Sequence, residues 1–186
     1  MDETTDLALI WTATELLFQQ IIQFGMSKPI DPKALANFEF CVERLNALVR
    51  REDELATQSL GTFQSLQLDR SLQLYRAAIQ CWSNEEATGV AAIQAAIALE
   101  NKTPWWPYRS ARLFQTLGSQ REKAIQHFRQ LAKGFPVGSE PWLESRARTV
   151  QTMRQMGDAK GSKELTNFVF ATFPAAAKEW QARFDR

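Results

Sequence analysis

The sequence has few of the residues from which most enzymes and metal sites are built. Its 186 residues include one histidine and two cysteines, whereas a zinc site needs about four Cys, His or carboxylate ligands at close spacing. It contains no Cys-x-x-Cys or His-x-x-x-His pair, and no glycine-rich loop leads into the Lys and Ser/Thr of a phosphate-binding loop. The single His127 lies among apolar residues of a helical segment and is interpreted as a packing or surface residue. We expect a non-enzymatic protein with no catalytic residue, cofactor or metal.

A basic amino-terminal region and long apolar runs are also lacking. The first turns carry Asp2, Glu3 and Asp6, and no stretch approaches 18 uncharged apolar residues. We therefore expect neither a signal peptide nor a membrane span, and a cytoplasmic location. Cys41 and Cys81 are 40 residues apart within apolar helical patterns, where small buried side chains are expected rather than a disulfide.

Strand patterns are missing, and helical spacing takes their place. No segment alternates with period two, whereas apolar side chains recur at steps of three and four along two early segments. Gly25 and the two prolines Pro29 and Pro32 separate these segments, and Asp31 is placed to cap the second. Residues 1–60 are therefore predicted to form a helical hairpin, whose second helix runs towards Gly61 as the longest element.

Helix-start signals recur along the rest of the chain, and about nine helices are predicted in antiparallel pairs with short links. Two prolines, Pro136 and Pro174, follow predicted helices as stop signals. The predicted starts are Asp69, a capping box at 83–86, Thr103 with Pro104, a second capping box at 119–122, and Ser139 with Pro141.

The formal net charge of +1 conceals an asymmetry along the chain. Residues 1–101 hold 7 Lys and Arg against 14 Asp and Glu, whereas residues 102–186 hold 15 against 7. Solvated helix faces would account for this division. This is the favoured interpretation; the alternative is an electropositive surface for an anionic partner, or association of unlike ends of two copies.

An internal repeat is the most informative feature of the sequence. At a shift of 38, Phe135 and Pro136 align with Phe173 and Pro174, and each pair is followed by a tryptophan, Trp142 or Trp180. Repeats of 20 to 50 residues built from helix pairs are typical of solenoids, in which each pair buries its apolar side against its neighbours.

The repeat resembles the tetratricopeptide family, whose helix pairs carry a Gly at the turn, small and aromatic residues in the second helix, and a closing Pro. Gly157 to Pro174 has the corresponding spacing, as do Ala124, Phe128, Leu131 and Pro136 in the preceding unit, although the period is longer than the family's 34 residues. A weaker unit, 69–103, carries Ala91, Ala95 and Ala98 at the small positions. The resemblance implies an all-α, right-handed α-solenoid over 69–174, closed by a capping helix at 175–186 in which Trp180 and Phe184 face inward.

The resemblance also implies a function, which is to hold a peptide or protein segment in a concave, partly basic groove lined by the first helix of each unit. Arg112 and Arg154 are the expected anchors for an acidic partner, with Tyr108 or Trp105 as an aromatic contact. The groove-facing positions are Trp105, Tyr108, Arg112, Gln115, Ala147, Gln151 and Arg154.

Three alternatives remain open at the level of sequence. The chain could assemble with itself through its acidic and basic halves, or could be the carboxy-terminal piece of a longer protein of the same kind. Single-stranded nucleic acid is a less favoured partner: aromatic and basic side chains occur together at Trp105, Trp106 and Arg109, but the pI is near 7.8.

Overall fold

The structure, a computed structural model, is all-helical in the residues that it describes, which are 3–26, 29–55, 62–83, 85–99 and 105–185. Nine α-helices and one short 3-10 turn occur in these ranges, and no strand does. This confirms the predicted all-α class and the predicted number of helices. The helices are α1 (Glu3–Gly25), α2 (Pro32–Leu55), α3 (Thr62–Trp82), α4 (Glu86–Leu99), α5 (Trp105–Thr116), α6 (Arg121–Gly134), α7 (Glu140–Gln155), α8 (Ala159–Thr172) and α9 (Pro174–Asp185), with the 3-10 turn at Gly118–Gln120.

The chain divides into two compact units, Met1–Ala95 and Ala96–Arg186. The first unit contains α1 to α3 and most of α4, and the second contains α5 to α9. The boundary between them lies inside the segment 69–174 that the sequence assigned to one array of repeats. Each unit is therefore described by itself.

Two of the predicted helix starts are confirmed by their local chemistry. Helix α2 begins at Pro32, and the backbone N–H of Lys33 donates to the side-chain carboxylate of Asp31 at 3.1 Å. Helix α7 begins after Ser139 and has Pro141 in its first turn, where the missing N–H of proline costs no hydrogen bond. The break after Gly25 lies where the sequence placed it.

One other predicted start, at Asp69, is wrong. Asp69 lies exposed inside α3, whose buried face continues through Leu68 and Leu72, so the helix passes the carboxylate without interruption. Helices do begin within the two predicted capping boxes, α4 at Glu86 and α6 at Arg121. Ser119 lies in the 3-10 turn, and α6 begins with no side-chain cap. Ser83 donates its backbone N–H to Ile79 at the end of α3, and residue 84 of that predicted box lies outside the described residues.

The core of the first unit is a cluster of four aromatic rings. Phe18 of α1 lies 5.9 Å from Phe38 of α2, measured between ring centroids, and 5.3 Å from Tyr75 of α3. Trp82 lies within 5.9 Å of both phenylalanines. These contacts bring α1 against α2 as the predicted hairpin, with α3 against both.

Helices α3 and α4 approach each other closely at Gly89. A β-carbon at this position would lie 2.5 Å from the carbonyl oxygen of Ala77 and 2.6 Å from the sulfur of Cys81. A glycine is therefore required here by the spacing of the helices. The same contact buries Cys81, and both Cys81 and Cys41 are free thiols, as the sequence predicted.

Helix α1 contains a segment that passes a length-and-composition test for a membrane span. Leu7–Gly25 has a mean hydropathy of 1.2, although the helices of soluble cores and signal sequences pass the same test. A single helix of this kind is weak evidence for a membrane span, and it does not contradict the sequence expectation of no span. In the structure Phe18, Ile21 and Ile22 of this helix are buried in the core of the first unit.

The second unit is a run of helices in which each contacts the next, and α9 lies against both α7 and α8. One apolar cluster of this unit includes Trp142 and Val150 of α7, Val169 of α8, and Trp180 and Phe184 of α9. The helix predicted at the carboxy-terminal end is present as α9, and its Trp180 and Phe184 face inward, with 7% and 0% of their surface exposed.

The two Phe-Pro turns of the second unit are in contact through one side chain. The ring of Phe173 packs edge-on against Trp142, with centroids 5.4 Å apart. A β-carbon added to Gly138 would lie 2.7 Å from the same ring, and Gly138 itself has a φ of 85°. Left-handed backbone and lack of space both favour glycine at this turn.

Candidate functional site

A second internal repeat, which the shift of 38 hides, relates α5 to α7. At a shift of 36, tryptophan, alanine, arginine, glutamine and threonine of α5 each fall on the same residue type in α7. The aligned pairs are Trp106 with Trp142, Ala111 with Ala147, Arg112 with Arg148, Gln115 with Gln151, and Thr116 with Thr152. Because the Phe-Pro turns repeat at 38, no single shift aligns both features, and this is why the sequence comparison missed it.

The two repeated glutamines occupy equivalent positions between helices. Gln115 is fully buried and donates its side-chain amide to the hydroxyl of Thr152 at 2.7 Å and to the carbonyl of Arg148 at 3.3 Å. Gln151 is 8% exposed and donates to the carbonyl of Arg183 in α9 at 2.7 Å. These two predicted groove residues therefore hold α5 to α7 and α7 to α9. Ala147, also predicted to face the groove, is 1% exposed.

Arg112 is half-buried and is not paired with a carboxylate in the described part of the chain. One of its terminal nitrogens donates weakly to the hydroxyl of Tyr108 at 3.5 Å, and its Nε is buried without a hydrogen-bond partner. Burial and the nearby cation of Arg148 lower the pKa of the Arg112 guanidinium. Arg112 therefore lies beside a second positive charge with only a phenol as a direct partner.

In α7, the arginine equivalent to Arg112 is paired with an acidic residue. Glu144 accepts from the Nε of Arg148 at 2.8 Å and from a terminal nitrogen of Arg183 at 3.2 Å. At the shift of 36, Glu144 is the equivalent of Tyr108. One carboxylate therefore lies between Arg148 and Arg183, whereas the equivalent residue beside Arg112 is a tyrosine.

The two predicted anchors, Arg112 and Arg154, make different contacts. Arg154 lies six residues beyond Arg148, or roughly 9 Å along a helix axis, and its guanidinium donates to the carbonyl of Phe184. The repeat pairs Arg112 with Arg148, which the sequence analysis did not select. Arg154 also borders a shallow depression with Gly157, Ala159, Ser162, Lys163 and Thr166.

Trp105 and Tyr108, the predicted aromatic contacts, are both half-buried in α5. Trp105 packs edge-on against Trp106 at 5.0 Å between centroids, and the guanidinium of Arg109 lies 5.4 Å from its ring centre. Tyr108 packs edge-on against Phe128 of α6 at 6.4 Å. Each aromatic ring thus has an internal partner on one side and keeps part of its surface exposed.

The groups best suited to acid-base chemistry are packed rather than gathered in a cleft. His127 is stacked on Phe114 at 5.9 Å between centroids, and burial together with Lys123 lowers its pKa. Burial raises the pKa of the Cys81 thiol to about 12. Among the residues that the structure describes, no group of three or more His, Cys, Asp or Glu side chains is arranged to hold a metal ion.

No protein-family model, curated protein or solved structure matches the chain significantly. What can be inferred about its function therefore comes from its own residues, and above all from the repeated contacts of α5, α7 and α9.

Proposed function

We propose that the chain is a non-enzymatic scaffold that binds a segment of another protein, and that its second unit is a degenerate tetratricopeptide-like array. In this reading α5 with α6 and α7 with α8 are successive antiparallel helix pairs of a right-handed solenoid, and α9 closes the array. The resemblance of the Gly and Phe-Pro turns to that family and the second repeat at 36 residues both support the proposal.

The observation that carries the proposal is the repeated glutamine contact. Gln115 joins α5 to α7, and Gln151 joins α7 to α9, each by donating a side-chain amide to a backbone carbonyl of the following helix in the series. Solenoids repeat such contacts between equivalent helices of neighbouring units, and the helices so aligned form one extended binding surface. Helices α5, α7 and α9 would be that surface here.

The exposed parts of this surface suit a protein segment. Trp105 and Tyr108 offer partly exposed aromatic rings, and Arg112, Arg148 and Arg183 offer guanidinium groups along successive helices. Aromatic and arginine side chains dominate the energetics of many protein interfaces. Gln115 and Gln151 would support the surface from within rather than touch the partner.

A photo-crosslinking experiment tests the location of the surface without altering its charge. The photoreactive residue p-benzoylphenylalanine is placed at Tyr108 in one variant and, as a matched control, at Phe168 of α8, which is 56% exposed. Both variants are irradiated in lysate of the source cells, and the crosslinked peptides are identified by mass spectrometry. A protein segment crosslinked from Tyr108 and not from Phe168 is the expected result.

Equal crosslinking from both positions, or none from Tyr108, would contradict the proposal. Crosslinks from Tyr108 to residues 1–101 of a second copy would instead establish self-assembly through the acidic and basic halves of the chain. Such association would weaken with added salt, because exposed charges are screened within about 10 Å at 0.1 M salt. Crosslinks to nucleic acid would favour the alternative that the chain binds single-stranded nucleic acid.

A further inference from the structure

The unequal partners of the repeated arginines point to a specific ligand. Between α7 and α9, the Glu144 carboxylate bridges Arg148 and Arg183, with contacts of 2.8 and 3.2 Å. Between α5 and α7 the residues in the same relation are Arg112 and Arg148, because Gln115 donates to the carbonyl of Arg148 as Gln151 donates to that of Arg183. Tyr108 stands at the position aligned with Glu144. Of the two aligned positions, 108 and 144, only the second carries a carboxylate.

The electrostatic surroundings of Arg112 favour an anion at that position. Its pKa is lowered by burial and by the cation of Arg148, and the opposing effects of Tyr108 and of the Glu144 carboxylate do not cancel this shift, so its charged form is destabilised in the free protein. Glu144 is already engaged by Arg148 and Arg183, and the Nε of Arg112 is buried without a partner. Arg148 also donates one terminal nitrogen to the side-chain oxygen of Gln151 at 3.2 Å, which leaves its other terminal nitrogen for a ligand. A guanidinium binds a planar carboxylate by donating two parallel N–H hydrogen bonds to it, and such pairs strengthen where water is partly excluded.

We propose that Arg112 and Arg148 bind the carboxylate of an aspartate or glutamate side chain in the partner segment. This carboxylate would take the position beside α5 and α7 that Glu144 takes beside α7 and α9. The proposal rests on the proposed function and adds the chemistry of the ligand to it. The partner supplies by contact the carboxylate that α5 lacks beside Arg112. Tyr108 borders the site, so its hydroxyl is available as a further donor to the bound carboxylate.

The repeat also supplies a sharp test, because the missing acid can be placed in the chain itself. In the Tyr108→Glu variant the new carboxylate should pair with Arg112 and Arg148 and occupy the site. Tyr108→Gln is the matched control, since it removes the same aromatic contact with Phe128 without adding charge. Tyr108→Glu should melt at a higher temperature than Tyr108→Gln, and circular dichroism should show that both keep the helical fold.

The ligand probe is a tetraglutamate peptide with acetylated and amidated ends, compared with a tetraglutamine peptide blocked in the same way. Binding is followed by NMR through the side-chain Nε–H signals of the arginines. Tetraglutamate should bind the parent chain and Tyr108→Gln at least tenfold more tightly than Tyr108→Glu, and should displace the Arg112 signal. Arg112→Ala should lose this binding, whereas Lys160→Ala, at a side chain 90% exposed on α8, should keep it.

Equal binding of tetraglutamate by Tyr108→Glu and Tyr108→Gln would overturn the proposal, as would equal melting temperatures of the two variants. Tighter binding of inorganic phosphate, or of tetraglutamine with a free carboxy terminus, would assign the site to another anion. These failures are separate from failure of the proposed function, because crosslinking from Tyr108 locates a bound segment whatever its charge.

Discussion

The side-chain amide of Gln115 in α5 donates to the hydroxyl of Thr152 in α7 across a fully buried contact of 2.7 Å. The same amide reaches the carbonyl of Arg148, one turn earlier on α7. Two helices that are separated by α6 in the chain are therefore joined directly by one side chain.

Replacing Gln115 with methionine, which has a similar volume, should destabilise the second unit. The change removes both hydrogen bonds while keeping the space filled, so we expect a loss of about 1 to 2 kcal/mol in the free energy of unfolding. Urea denaturation followed by circular dichroism measures it. The exposed Gln126 of α6 is the control, since Gln126→Met should change stability by less than about 0.5 kcal/mol. Equal effects of both changes would show that the contact does not stabilise the unit.

Trp142 is expected to be among the most sensitive positions of the second unit. It is 2% exposed and packs against Phe173, so Trp142→Ala should cost about 3 to 5 kcal/mol. Trp180→Ala in α9 should behave similarly. Thermal melting compares them with Trp105→Ala, which removes a half-buried ring and should cost less. A small loss for Trp142→Ala would contradict its assignment to the core.

Gly89→Ala should destabilise the first unit, because its β-carbon would overlap the backbone of Ala77 and the sulfur of Cys81. Overpacking of this kind costs about 1 to 3 kcal/mol. Gly134→Ala in α6 is the matched control: the added methyl group meets open space, and alanine favours a helix over glycine by up to about 1 kcal/mol. The two substitutions should therefore shift the urea midpoint in opposite directions.

The stability of the chain should fall on mild acidification because of His127, its only histidine. Burial and Lys123 lower its pKa in the folded state, so the unfolded chain binds the proton more tightly. The unfolding free energy should therefore be highest above about pH 6.5, the usual pKa of histidine, and decrease as the pH falls below it. His127→Phe, which keeps the ring on Phe114, should lose this part of the pH dependence. Parallel pH profiles of the two proteins would contradict the prediction.

Cys81 should be unreactive towards thiol reagents while the protein is folded. Its pKa is raised to about 12 by burial, with a further contribution from Glu86, so little thiolate forms near neutral pH. In a Cys41→Ser variant, the remaining thiol should react with Ellman's reagent only after guanidinium chloride is added. Rapid reaction of the folded variant would show that the contact between α3 and α4 opens readily.

The sequence predicted the helical class because apolar spacing is a local property, and Asp31 with Pro32 predicted a start because capping is local as well. It failed for the start at Asp69 and for the cap at Ser119, where the same residue types occur and the backbone makes other bonds. Capping residues are equally at home on an exposed helix face or in a 3-10 turn. Only the packing of the surrounding helices decides between these roles.

The candidate site was predicted in part. Arg112 was selected from its spacing to the turn glycine, and the structure gives it a basic neighbour and a partly exposed position. Gln115 and Gln151 were expected to face a groove, but burial between helices depends on how closely those helices approach. Arg148 was overlooked because the repeat was aligned on its turns, where the period is 38, and not on α5 and α7, where it is 36.

The contact between Phe173 and Gly138 makes the substitutions that one Phe-Pro turn tolerates depend on the other turn. Any side chain gained at position 138 would press on the ring of Phe173, and that ring also rests on Trp142. The two similar turns would then be unable to change in sequence independently. A change tolerated at one turn would have to be matched by a second change 35 residues later.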